Sequence, residues 1–209
     1  MYDILEINND FIAINKWPNV DFHGEGLVDS VRSEVDGEVY PVHRLDKVTS
    51  GILLFARTKD VAREISEQFE KSTIEKIYIA LSDSKPKKKQ GTVKGDLEKS
   101  RRGAWKITRT FNNPSVTHFQ SHSLESGLRL FVLRPKTGKT HQLRVVMKSL
   151  GSPILGDSLY SGKESDRTYL HAYKITFKAS GKEYSLEAPF LHGEEFTQEN
   201  FSSLVQSLF

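Results

Sequence analysis

The sequence predicts an α+β fold built on a mixed, mostly antiparallel sheet with flanking helices. Three observations carry this. Apolar runs are short and are separated by turn-forming residues, as in Ile4-Leu5-Glu6-Ile7 and Phe11-Ile12-Ala13-Ile14 around Asn8-Asn9-Asp10. Helical periodicity is confined to a few segments. No G-x-G-x-x-G or Walker-type sequence opens a nucleotide fold. Hairpin-linked strands with few helices favour an antiparallel arrangement over a doubly wound one.

In chain order, residues 4–14 read as a β-hairpin, because Asn and Asp tolerate the backbone angles of a tight turn. A loop through Lys16-Trp17-Pro18-Asn19 and on to Asp21–Gly26 follows, then a short helix over 27–35. Residues 51–57 read as a strand. Thr58 caps a helix in which Val61, Ile65 and Phe69 share one face at i, i+4 and i+8, ending near Ser72. Asp60 suits the positive end of its dipole. Residues 76–81 form a strand with Ile77 and Ile79 on one face and Tyr78 on the other. Residues 83–103 are polar and basic and read as a loop or insertion. Residues 117–124 and 128–134 form a second hairpin around Glu125-Ser126-Gly127. A helix opens at Thr140, carries Leu143, Val146, Met147 and Leu150, and stops at Gly151. Strands over 169–177 and 183–187 and a terminal helix with Phe201, Leu204, Val205 and Leu208 complete the chain.

The 209 residues suit one large domain or two small subdomains sharing a core. Hydrophobic residues make up 37% and charged residues 27%, the balance of a soluble globular protein. There is no cysteine, which excludes disulfides, thiolate metal sites and a Cys nucleophile. No signal peptide or membrane span is readable, so a cytoplasmic protein is expected. No apolar stripe beyond the core marks a second subunit, and a monomer is expected.

The net charge of +3 conceals an uneven distribution. Between Lys85 and Arg109 stand ten Lys or Arg (85, 87, 88, 89, 94, 99, 101, 102, 106 and 109) against Asp96 and Glu98. From Glu183 to the C-terminus there are five Glu and no Lys or Arg. A basic middle suits a polyanion, and Arg101, Arg102, Trp105 and Lys106 interleave cations with an aromatic ring.

The chemistry centres on His43-Arg44-Leu45-Asp46-Lys47-Val48-Thr49-Ser50-Gly51. A carboxylate before a small-residue turn and an apolar strand is held where a substrate reaches it. Its cationic neighbours favour the ionised form, which makes Asp46 a candidate nucleophile rather than an acid. Read alone, an Asp before Thr-Ser-Gly is more often a turn former.

His-Arg-Leu-Asp-x-x-Thr-Ser-Gly resembles the signature of the RluA-type pseudouridine synthases. Asn15-Lys16 followed by Pro18 and His23 is similar to that family's early Asn-Lys-Pro…His segment. Lys76-Ile77-Tyr78-Ile79-Ala80 resembles its Lys-x-Tyr-x-Ala strand, and Thr137-Gly138-Lys139-Thr140-His141-Gln142-Leu143-Arg144-Val145 its Thr-Gly-Arg-Thr-His-Gln-Ile-Arg-Val segment. Pro153-Ile154-Leu155-Gly156-Asp157 and Leu170-His171-Ala172 resemble two further motifs, in the same order.

The resemblance implies a single pseudouridine synthase catalytic domain over 1–209, with a central cleft and no separate N-terminal RNA-binding module. It implies isomerisation of specific uridines in ribosomal or transfer RNA, without cofactor or metal. Asp46, Tyr78 and Arg144 would be catalytic. Arg144 would pair with Asp46 through two hydrogen bonds, their side chains within about 4 Å. Tyr78 would stack on the flipped base. Arg44 would occupy the space the uridine leaves, and Lys16, Lys139, His141, Gln142, Arg101 and Arg102 would contact RNA. His43, His141 and His171 lack metal-ligand spacing and read as structural. Lys139 departs from the family's Arg, Val146 from its frequent His, and Trp17 interrupts Asn-Lys-Pro. The alternatives are a non-catalytic RNA-binding protein that keeps the fold, and a nuclease using His and Asp.

Overall fold

The structure is a computed structural model and describes residues 1–22, 26–124 and 127–209. In chain order its elements are β1 (Tyr2–Ile7), β2 (Phe11–Lys16), α1 (Leu27–Ser33), β3 (Tyr40–Pro41), β4 (Ser50–Ala56), α2 (Lys59–Glu70), β5 (Glu75–Ser82), β6 (Gln90–Gly95), β7 (Leu97–Lys99), β8 (Trp105–Ile107), β9 (Ser115–Ser123), β10 (Arg129–Pro135), α3 (Gln142–Ser149), β11 (Leu170–Ala179), β12 (Lys182–Glu187) and α4 (Glu199–Leu208). The α+β class follows directly.

The chain forms two compact units. The first comprises Met1–Lys76 and Ala172–Pro189, the second Ile77–His171 and Phe190–Phe209. Of the three boundaries, those between Lys76 and Ile77 and between His171 and Ala172 fall inside strands, β5 and β11, and the third follows Pro189, just beyond β12. A division without a linker leaves no Pro-, Gly- or Ser-rich signal to read.

In the first unit the strands run β1-β2-β4-β11, with β12 on β11 and β3 on β4. The β1–β2 hairpin forms as expected. Asn8 Oδ1 accepts the amides of Asp10 and Phe11, so the turn is fastened by its own side chain. Every residue of β2 and β4 is buried. Phe11, Ala13, Ile52, Leu54 and Ala56 join Val61 and Ile65 of α2 and Ile175 and Phe177 of β11 in one core. The helix starts where expected: Thr58 Oγ1 accepts the Val61 amide at 3.2 Å.

In the second unit the order is β5-β10-β9-β6, each pair antiparallel. The β9–β10 pairing is the expected second hairpin; its turn residues Glu125 and Ser126 lie outside the described residues. Helix α3 packs against β8 and β9, with Val146 and Met147 fully buried.

The segment expected to be a loop over 83–103 contains β6, β7 and a 3-10 turn at Arg101–Gly103, and β7 pairs with β8 in a two-stranded sheet. The reason for the miss is physical. Strand β6 has a neighbour on one side only, and its residues Gln90, Gly91, Thr92 and Lys94 are exposed. Such a strand is held by its ladder, not by apolar burial, and shows no hydrophobic alternation.

Candidate active site

Asp46 belongs to the first unit, Tyr78 and Arg144 to the second. Asp46 is half-buried in the turn before β4, where its carbonyl accepts the Thr49 amide at 3.0 Å.

Two side chains fasten this turn. Lys16, at the end of β2, is fully buried. Its ammonium donates to the carbonyls of Trp17 (2.9 Å), Val20 (3.0 Å) and Lys47 (3.2 Å). A buried ammonium is tolerable only with such saturation. Lys47 directly follows Asp46, so the bond ties the end of β2 to the candidate nucleophile's own turn. Lys16, expected among the RNA contacts, has no exposed surface.

The second fastener is His43. Its Nε2 accepts the Leu54 amide at 3.0 Å, which fixes the proton of the neutral ring on Nδ1. Burial, and then the charge of Lys76, lower its pKa to about 3. The ring also lies against Phe69, with centroids 4.7 Å apart. This is a structural histidine, neutral across the physiological range. Leu45 is buried while Arg44, on the adjacent position, is exposed.

Gly51 closes the motif. Its φ is 110°, and a Cβ there would stand 2.3 Å from the Ala172 carbonyl oxygen. Only glycine permits β4 to start at this distance from β11. His23, the last residue of the early motif, lies outside the described residues.

In the second unit Arg144 stands in the first turn of α3, 5% exposed. Arg144 makes a two-point grip on Asp157: Nε to Oδ2 at 2.7 Å and Nη2 to Oδ1 at 2.8 Å. Tyr160 covers the guanidinium, its ring centroid 5.0 Å from Cζ. The Tyr160 hydroxyl accepts the Trp105 amide at 3.0 Å and lies 2.9 Å from His141 Nδ1. Asp157 and Tyr160 thus set the orientation of Arg144. Neither was assigned a role from sequence, although Asp157 lies in a quoted motif. The available signal was a carboxylate set among Pro153, Ile154, Leu155 and Gly156. Gly156, with φ 79°, is required because a Cβ would meet the Arg167 carbonyl oxygen at 1.7 Å.

Tyr78 is half-buried on β5, opposite Leu133 of β10. Gln142 also stands among the expected RNA contacts. It is buried, its Oε1 accepts from Thr137 Oγ1 and the Lys139 amide, and its Nε2 donates to the Val116 carbonyl and Thr117 Oγ1. That satisfies every donor and acceptor of the amide's inner side and makes it the staple between α3's entry and β9. Lys139 is half-exposed, with its ammonium on the Asn113 carbonyl. Arg101 and Arg102 are exposed. His171 is buried against Phe190, ring centroids 4.6 Å apart. Among the described residues no group of three or more His, Cys, Asp or Glu could hold a metal ion. No helix among them is long and apolar enough to cross a membrane.

Comparison with known proteins follows the same residues. A family model described as RNA pseudouridylate synthase matches residues 10–149. An uncharacterized RNA pseudouridine synthase of Haemophilus influenzae is 51% identical over 183 residues, spanning 84% of this chain and 81% of that one. A ribosomal large subunit pseudouridine synthase C of Rickettsia felis is 38% identical over 169 residues, spanning 75% of this chain; the match covers only 55% of that longer protein. Among solved structures, human RNA pseudouridylate synthase domain containing 1 superposes with a TM-score of 0.80 at 26% identity, covering 100% of this chain and 94% of that one.

Proposed function

Because this chain belongs to the RNA pseudouridylate synthase family, we propose that it isomerises one or more uridines of ribosomal or transfer RNA in the cytoplasm, with Asp46, Tyr78 and Arg144 as its catalytic residues. The observation that carries the reading is the double anchoring of the Asp46 turn, by Lys16 on the Lys47 carbonyl and by His43 on the Leu54 amide. A reacting carboxylate has to be held rigidly before its substrate arrives.

The reaction is a rearrangement. The bond from the sugar C1′ to the uracil N1 breaks, and a bond from C1′ to C5 forms. C5 loses a proton and N1 gains one, so no oxidant or reductant is needed. The base must leave its stack first, because its reacting atoms cannot be reached inside a helix. Asp46 meets the freed nucleotide. Tyr78 offers a ring for stacking and a hydroxyl for the C5 proton. Asp157 occupies the Nε–Nη2 edge of Arg144 and orients its guanidinium. Arg44, exposed beside Asp46, takes the place of the flipped base, and Arg101, Arg102, Lys139 and His141 contact the RNA.

The test is tritium release from bulk RNA carrying C5-labelled uridine. The protein releases tritium, and Asp46→Asn abolishes release while retaining RNA affinity. Full release by the variant refutes the role of Asp46. RNA binding with no release by the unaltered protein means a non-catalytic RNA-binding protein, and shortened RNA on a denaturing gel means a nuclease.

A further inference from the structure

Phe111 is 59% exposed, the most open large apolar side chain among the described residues. A ring left in water forfeits the stabilisation that burial would provide. Phe111 is nevertheless not on a slack loop. Asp96, which follows β6, holds the segment that carries it. The Asp96 amide donates to the Thr110 carbonyl at 3.0 Å. Its carboxylate accepts the amide of Asn112 through Oδ2 (3.0 Å) and that of Asn113 through Oδ1 (2.9 Å). From the other side the Lys139 ammonium donates to the Asn113 carbonyl. The residues flanking Phe111 are therefore clasped, and the ring is presented in a fixed place.

Its surroundings are cationic. Lys94 Nζ lies 5.6 Å from the ring centroid. Lys139 is bonded to the same turn, and Arg109 is exposed two residues before the ring. Of the acids nearby, Asp96 is spent on two backbone amides and Glu98 pairs with Lys106 at 3.5 Å. A fixed flat ring among lysines suits a ligand that is flat and anionic at once. A nucleotide is such a ligand, and its base must be unpaired for its face to be offered.

We propose that Phe111, with Lys94 and Lys139, is a stacking platform for an unpaired nucleotide of the RNA substrate, separate from the uridine that reacts. The proposal rests on the RNA-modifying function given above and extends it to substrate shape. The substrate then carries a single-stranded nucleotide that docks on the second unit. Stacking sets the affinity for that strand, and the lysines supply a charge term indifferent to sequence.

Two probes separate stacking from charge: a short fluorescein-labelled single-stranded oligouridylate and an RNA duplex of the same length. In fluorescence anisotropy, Phe111→Ala weakens single-strand binding about five-fold or more. Phe111→Trp restores it, and duplex binding is unchanged by either variant. Lys94→Ala weakens both probes. Ultraviolet cross-linking of a 5-bromouridine oligonucleotide places the adduct on Phe111. Unchanged single-strand binding by Phe111→Ala, or equal losses on both probes, overturns the proposal; so does an adduct found only elsewhere. Tritium release run in parallel keeps the two readings apart. If the unaltered protein releases none while the binding pattern holds, the enzymatic reading falls and the platform stands. If release is normal and Phe111→Ala binds as before, the platform alone falls.

Discussion

Arg144 grips Asp157 through two hydrogen bonds of 2.7 and 2.8 Å, with side chains only 7% and 1% exposed. Breaking a buried pair strands a charge, whereas replacing both partners with apolar groups need not. Asp157→Leu is therefore expected to cost about 3–5 kcal/mol of stability. Arg144→Met combined with Asp157→Leu should cost less than the sum of the single changes. Urea unfolding of the four proteins checks this, and additive losses refute the pairing energetics.

Lys16 fastens three carbonyls, one of them in the Asp46 turn. Lys16→Met keeps the length of the side chain and removes the donor, leaving Trp17, Val20 and Lys47 carbonyls short of a partner. A loss of about 2–4 kcal/mol is expected, at about 1–3 kcal/mol for each group that water cannot reach. Tritium release should fall in kcat with little change in KM for RNA, since a fully buried side chain does not touch substrate. A rise in KM alone would restore Lys16 to the RNA-contacting set.

Gly51 stands at φ 110°, with the Ala172 carbonyl where a Cβ would go. Gly51→Ala is expected to destabilise by about 2 kcal/mol or more, through backbone strain and overlap with backbone atoms together. Thermal unfolding measures it. A melting point within error of the parent would mean that β4 shifts away from β11 at no cost.

His43 has its pKa lowered from 6.5 to about 3. In the unfolded chain it takes up a proton near its ordinary value; in the folded protein it does not. Its contribution to stability is therefore whole above pH 6.5 and is lost as the pH falls from there toward 3. Between pH 7 and pH 5 the loss is of the order of 2 kcal/mol. Unfolding free energies across that range should slope less in His43→Asn than in the parent, whatever the variant's absolute stability.

If Arg144 and Asp46 work as a pair, their variants do not add. Asp46→Asn and Arg144→Met should each reduce tritium release severely, and the double variant should be little worse than Asp46→Asn alone, as groups acting as a unit behave. Multiplying losses would mean that Arg144 acts elsewhere, through Asp157 and Tyr160.

The elements with a repeating apolar signal were legible in the sequence. The β1–β2 hairpin announced itself through Asn8-Asn9-Asp10, α2 through Thr58 and the Val61, Ile65 and Phe69 stripe, and α3 through Leu143, Val146 and Met147. The Asp46 motif was legible as an ordered string. Strand β6 was not, because a strand exposed at an edge carries no apolar alternation. The positions at which the two units divide were not, because two of the three crossings fall in mid-strand.

Side-chain partnership was the least legible. By itself the sequence determined the candidates for the chemistry: a carboxylate before Thr-Ser-Gly, a tyrosine in a strand, an arginine in a helix's first turn. Such identities depend on local order along the chain, and local order is what a sequence records. Only the tertiary structure decided that Lys16 faces three carbonyls and no solvent, that Gln142 is a staple, and that Asp157, thirteen residues beyond Arg144, takes its grip. A lysine or glutamine is the same letter whether buried or open. Its task is set by which donors and acceptors folding brings within about 3 Å of it.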